Sequence, residues 1–171
     1  GSGKSTLLAL TSGIVYPHTG KAEVFTKSFS YVSATPMILN STLRDNLVYG
    51  VSEEATDDQL LELIIEFNLF REKVDKQTLD QLVSNKKLST GQMQKISFIR
   101  AILSKADILL LDESTSNLDV PSKKLIFKNL SSRKLTIINA THNPEEFLHY
   151  DEHLKIVIEN EKRKFLITRS K

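Results

Sequence analysis

Four consecutive aliphatic residues, Ile108-Leu109-Leu110-Leu111, run straight into two carboxylates, Asp112-Glu113. A strand with one wet face alternates apolar and polar residues. An unbroken apolar run between helical patterns fits a parallel strand buried on both faces. A helix beginning at Pro121 follows, and then a second apolar stretch, Leu135 to Asn139, read as another buried strand. Strand, helix, strand predicts a doubly wound α/β core. Open sheets of this kind bind ligands beyond the carboxyl ends of their strands, where Asp112 and Glu113 fall. Asp112 is suited to hold Mg²⁺, directly or through water, and Glu113 to orient and polarise a water. The two charges read equally well as a strand simply reaching solvent.

The first residues carry a second constraint. Gly1-Ser2-Gly3-Lys4-Ser5-Thr6 matches the back end of the phosphate-loop pattern G-x-x-x-x-G-K-[ST], whose first glycine would precede residue 1. The expectation is a chain that starts inside its own nucleotide site and binds ATP poorly as a fragment. Backbone N–H groups at a helix start can replace the water around a triphosphate, helped by the helix dipole. Gly1 and Gly3 allow close approach, Lys4 is a point charge for the β- and γ-phosphates, and the Ser5 hydroxyl suits Mg²⁺. The alternative is a Gly/Ser turn capping a helix that ends at Gly13.

Composition excludes several classes. The chain has 171 residues, 23 Lys+Arg against 21 Asp+Glu, and no cysteine. That length supports one compact core. A net charge of +2 gives no argument for nucleic acid or an anionic membrane. Without cysteine there is no disulfide framework and no Cys-based zinc site, which fits a reducing compartment. No run is long enough to span a bilayer. Lys162-Arg163-Lys164, followed by Phe165-Leu166-Ile167, reads as an edge strand with charged flanks.

Between these landmarks, Lys21 to Phe25 and Phe29 to Val32 are strand candidates. From Asn40 to Val83 the chain reads as helices, one capped by Ser41 and one by Thr56, with Leu60, Leu61, Ile64, Ile65 and Phe67 as the apolar face of the latter. Leu88-Ser89-Thr90-Gly91-Gln92 follows. Ser89 can cap the next helix and, with the Gly91 backbone, form a second anion site. Capping explains Ser89 but leaves Gly91 and Gln92 without a reason.

Leu88 to Gln92 resembles the LSGGQ signature of ABC-type ATPases, with Thr90 in place of one glycine. Gln94 to Ala101 resembles the helix after it, Ile108 to Asp119 resembles Walker B and the D-loop, and Thr141-His142 falls at the switch histidine. The resemblance covers nearly the whole chain, in the family's order. It implies a P-loop NTPase (RecA-like) core over residues 1–34 and 95–171, and an inserted helical subdomain over 35–94. It further implies that Gly1, Ser2, Gly3, Lys4, Ser5 and Thr6 bind nucleotide, that Ser5 and Asp112 hold Mg²⁺, that Glu113 is the catalytic base, and that His142 contacts the γ-phosphate. Ser89, Thr90, Gly91 and Gln92, with Asp119, would act on ATP held by a second nucleotide-binding domain, identical or not.

Three departures stand out. Tyr31-Val32-Ser33-Ala34-Thr35-Pro36 resembles the Q-loop, with Ala34 where glutamine is expected. No aromatic residue can be assigned to stack on adenine. The stretch Gly20 to Tyr31 is short. Ser41 to Gly50 resembles the segment after the Q-loop in exporters, although Leu79 to Lys87 lacks the exporter loop that usually precedes the signature. The leading expectation is therefore an ATPase domain of an exporter, with ATP and Mg²⁺ as cofactors, fused to or paired with a transmembrane domain at the cytoplasmic face of a membrane, and no nucleic-acid partner. The alternatives are a nucleotide-gated module with little turnover, and a soluble ABC-type ATPase acting on DNA or ribosomes.

Overall fold

The computed structural model describes residues 2–26, 28–144, 150–159 and 162–169. Helix α1 (Lys4–Thr11) leads to strand β1 (Phe29–Ser33). Then come β2 (Ser41–Thr42), α2 (Leu43–Val48), α3 (Asp57–Glu66), α4 (Lys76–Leu79) and β3 (Leu82–Val83). Helix α5 (Thr90–Leu103) returns the chain to β4 (Ile108–Asp112), α6 (Val120–Ser131) and β5 (Thr136–Ala140). A hairpin of β6 (Glu152–Glu159) and β7 (Lys162–Arg169) closes the order.

Strands β1, β4 and β5 form a parallel sheet with β4 in the centre. Its two faces explain the unbroken apolar run. Strand period places Leu109 and Leu111 on one face and Ile108 and Leu110 on the other. Leu109 and Leu111 join Val32, Ile96, Ile99, Ile126 and Leu130 in the main core. Leu110 joins Leu8 and Ala140 in a smaller cluster, with Phe29, Tyr31 and Ile108 packed against it. Helix α1 thus covers one face while α5 and α6 cover the other, as the α/β reading expected. Asp112 continues the even-numbered series and so ends on the α1 side.

The main core runs on into the helical region, where Leu43, Leu47, Leu60, Ile64, Phe67 and Leu79 belong to the same cluster. A polar tie crosses the same boundary. Arg100 on α5 donates to the Asn46 carbonyl, to Asn46 Oδ1 at 3.1 Å and to the Met37 carbonyl at 2.6 Å. Asn46, fully buried, returns donors to the Leu39 and Thr42 carbonyls at 3.1 and 2.9 Å.

Several expectations need correction. Lys21 to Phe25 forms no strand, because it has no pairing partner and Val24 and Phe25 face solvent. The cap of α2 is Thr42, not Ser41, whose hydroxyl instead bonds the Asp45 carboxylate. The helical stretch also contains the short antiparallel pair β2–β3. Ile65 is exposed, so the buried face of α3 is Leu60, Leu63 and Ile64. Strand β5 lies at the sheet edge with Thr136 and Ile138 exposed, and is only half the buried strand expected. Thr56 and Ser89 cap their helices as read, each with a reciprocal capping box.

Candidate functional site

Helix α1 starts at Gly3, whose φ of 98° lies in the left-handed region that L-residues avoid. No side chain caps this end. The first turn therefore presents Lys4 and Ser5 beside the carboxyl end of β4. Ser5 Oγ donates to Asp112 Oδ1 at 3.0 Å. The other carboxylate oxygen, Oδ2, accepts from the Tyr31 hydroxyl at 2.8 Å. Tyr31 lies on the same sheet face, paired in register with Leu110. Burial, and then the hydrogen bond to Asp112, push its phenol up to about 12, so it stays a donor.

One residue further on, the chain turns sharply. Glu113 has φ 51°, a conformation uncommon for a residue with a Cβ. Its N–H still reaches the Ala140 carbonyl at 2.9 Å, which anchors the turn to β5. The Glu113 carboxylate meets His142 Nε2 at 2.7 Å. Lys4 Nζ sits 3.3 Å from His142 Nδ1. A neutral imidazole protonated on Nε2 satisfies both contacts, donating to Glu113 and accepting from Lys4. The expected catalytic residues, Glu113 and His142, thus stand in one chain of contacts with Lys4.

Ser2 and Thr6 flank this cluster. Thr6 is exposed on α1, while Gly1 lies outside the described residues. The Ser2 carbonyl accepts from Arg163 Nε at 3.1 Å. The sequence does not announce that contact, since residues 162–164 read as strand flanks and only the hairpin fold brings Arg163 to the Ser2 carbonyl.

The signature residues form a separate group. Ser89 Oγ accepts from the Gln92 N–H at 3.2 Å, and Gln92 Oε1 accepts from the Ser89 N–H at 2.9 Å. Thr90 is exposed beside them. A Cβ on Gly91 would meet Leu118 at an ordinary 3.7 Å, so packing within this chain does not demand glycine there. Asp119 caps α6 by accepting from the Ser122 N–H at 2.9 Å, and its carboxyl is held below the usual range first by the Ser122 side-chain hydrogen bond and then by this backbone one. Among the described residues, no hydrogen bond links Ser89, Thr90, Gly91, Gln92 or Asp119 to Lys4, Ser5, Asp112, Glu113 or His142. Ala34, at the Q-loop position, offers only its carbonyl, which Asn117 Nδ2 approaches at 3.5 Å.

The donor set at α1 suits a hard divalent cation. Ser5 and Asp112 supply oxygens, and among the described residues no group of three or more His, Cys, Asp or Glu could hold a metal by itself. Mg²⁺ is commonly held in this way, by one or two protein oxygens with phosphate and water completing the shell.

A model of the ABC transporter family matches residues 1–116. The chain belongs to the ABC transporter family. It is an ATP-binding domain of the ATPase type, and the matched region contains the signature and the Asp112-Glu113 pair. The lactococcin-A transport/processing ATP-binding protein of Lactococcus lactis is 35% identical over 83% of this chain and 22% of its own length. The transport/processing ATP-binding protein ComA of Streptococcus pneumoniae is 31% identical over 83% of this chain, again 22% of its own length. The alpha-factor-transporting ATPase of Saccharomyces cerevisiae is 32% identical over 74% of this chain and 11% of its own length. The chain therefore spans less than a quarter of each of these relatives. None of its described helices is long and apolar enough to cross a membrane.

Proposed function

We propose that this domain binds ATP–Mg²⁺, hydrolyses it, and drives an exporter. The gathering of Lys4, Ser5, Asp112, Glu113 and His142 at one end of the sheet carries this reading. In it, Ser2, Gly3, Lys4 and Thr6 cradle the phosphates, together with Gly1. Ser5 and Asp112 hold Mg²⁺, which would neutralise charge on the β- and γ-phosphates. Glu113 accepts a proton from water as the water oxygen attacks the γ-phosphorus. The bond to the β,γ-bridging oxygen breaks, leaving ADP and inorganic phosphate. Lys4 and His142 exchange their mutual contact for the γ-phosphate, so nucleotide arrival opens the Lys4–His142 link.

Ser89, Thr90, Gly91 and Gln92, with Asp119, complete the site of a second nucleotide-binding domain. Their distance in contacts from Asp112 supports this assignment, as does a glycine that its own chain does not require. Residues 35–94 would be a helical subdomain and residues 1–34 and 95–171 the ATPase core. A transmembrane domain, fused or separate, would place the assembly at the cytoplasmic face of a membrane. Names among the relatives that speak of lactococcin-A transport and of an alpha-factor-transporting ATPase support the export reading. A second reading, a nucleotide-gated module with little turnover, draws on Ala34, whose methyl cannot contact metal or water.

The test is ATP hydrolysis by the full-length protein over a range of concentrations. Turnover should rise more steeply than protein concentration. Glu113→Gln should lower it by roughly 10²–10⁴ while sparing ATP binding. Nucleotide binding without turnover would favour the second reading.

A further inference from the structure

We propose that Tyr31 is a positioning residue of the metal site, its phenol fixing the carboxylate through which Asp112 would hold the cation. The inference rests on the reading of Ser5 and Asp112 as metal-holding residues. A carboxylate on a strand end turns easily about its last torsion, which is broad and roughly two-fold. Here both oxygens are claimed, Oδ1 by Ser5 from α1 and Oδ2 by Tyr31 from β1. Two hydroxyls from two elements leave the Asp112 plane little freedom. Each oxygen keeps a lone pair for a cation or its water.

The phenol is itself well held. Its partly buried ring packs against the cluster of Leu8, Leu110 and Ala140, so swinging away would expose apolar surface there. The residues that follow it toward the strand end do not replace it. Ser33 Oγ donates to the Thr35 carbonyl at 2.8 Å, and Ala34 has no polar side chain. Mg²⁺ tolerates little departure from octahedral geometry, so an ill-aimed oxygen weakens it sharply. Losing a hydrogen bond that orients a metal ligand typically lowers affinity about 10–100-fold.

Mn²⁺ is the probe, titrated into the full-length protein loaded with stoichiometric ADP and followed by the paramagnetic resonance of free Mn²⁺. Tyr31→Phe keeps the ring and removes the hydroxyl. It should weaken Mn²⁺ binding about 10–100-fold, while ADP affinity in chelator stays within twofold of the parent. Ser5→Ala, measured alongside, tests the underlying site. If Ser5→Ala weakens Mn²⁺ binding and Tyr31→Phe does not, the role of Tyr31 is overturned and the site stands. If neither does, the site reading itself fails. If Tyr31→Phe lowers ADP affinity in chelator as much as it lowers Mn²⁺ affinity, Tyr31 serves only the fold, and the proposal is again overturned.

Discussion

Two helix N-termini carry the motifs of this chain, and they are finished differently. At α1 the cap is a left-handed glycine with no side-chain hydrogen bond, so the donors of the first turn stay open. At α5 Ser89 and Gln92 close on each other and satisfy two donors reciprocally. The first end is surrounded by polar side chains of its own chain, Lys4, Asp112, Glu113 and His142. The second is locally complete and faces outward. On the function proposed above, a helix start that receives phosphate from its own domain need not resemble one offered to another.

Substitutions can break this contrast. The largest effect belongs to Lys4→Met, which removes the charge from the open end. ATP affinity should fall about 10–100-fold, in line with the loss of a charged hydrogen bond, with little change in melting temperature. A large drop in melting temperature would show that Lys4 is structural. The two glycines come next. Gly3→Ala should destabilise the domain by about 1–2 kcal/mol, because its backbone is left-handed. Gly91→Ala sits in a helix with room for a methyl, and should raise stability by up to about 1 kcal/mol. It should nonetheless lower turnover, if another domain must approach that spot. Denaturant unfolding and ATPase assays on the same pair decide this, and equal stability effects would erase the distinction.

The smallest effect is set by pH. Asp119, beside the signature end, is held below the usual carboxylate range first by its hydrogen bond from Ser122. A depressed carboxyl contributes stability that is complete above its unfolded value near 4, and is lost as pH falls through the folded value. Thermal unfolding between pH 6 and 3 should therefore fall more steeply for the parent than for Asp119→Asn, which keeps a capping side chain without the charge. The Ser89–Gln92 box does not titrate and should add nothing to that slope.

Much of this was legible in the sequence for local reasons. Ile108 to Glu113 announced a two-sided strand because side chains on both its faces pack into apolar clusters. Thr56 and Ser89 announced caps because the bonds they make lie within three residues. The misses were non-local. Whether Lys21 to Phe25 pairs depends on a partner strand, and nothing within the segment supplies one. Ser41 and Thr42 are both able caps, and only the turn geometry chose Thr42. Tyr31 and Arg163 reach the site across 81 and 161 positions of chain, and no spacing rule reports such meetings. The separation of Ser89 from Asp112 could be read only through the family resemblance.

The backbone at Glu113 bears on how this protein can change. Its positive φ suits Gly or Asn better than glutamate, and either exchange would relieve the turn while deleting the acid. With Glu113 as the catalytic base proposed above, selection for heat resistance alone would favour an inert descendant, and selection for turnover would keep glutamate in so uncomfortable a place.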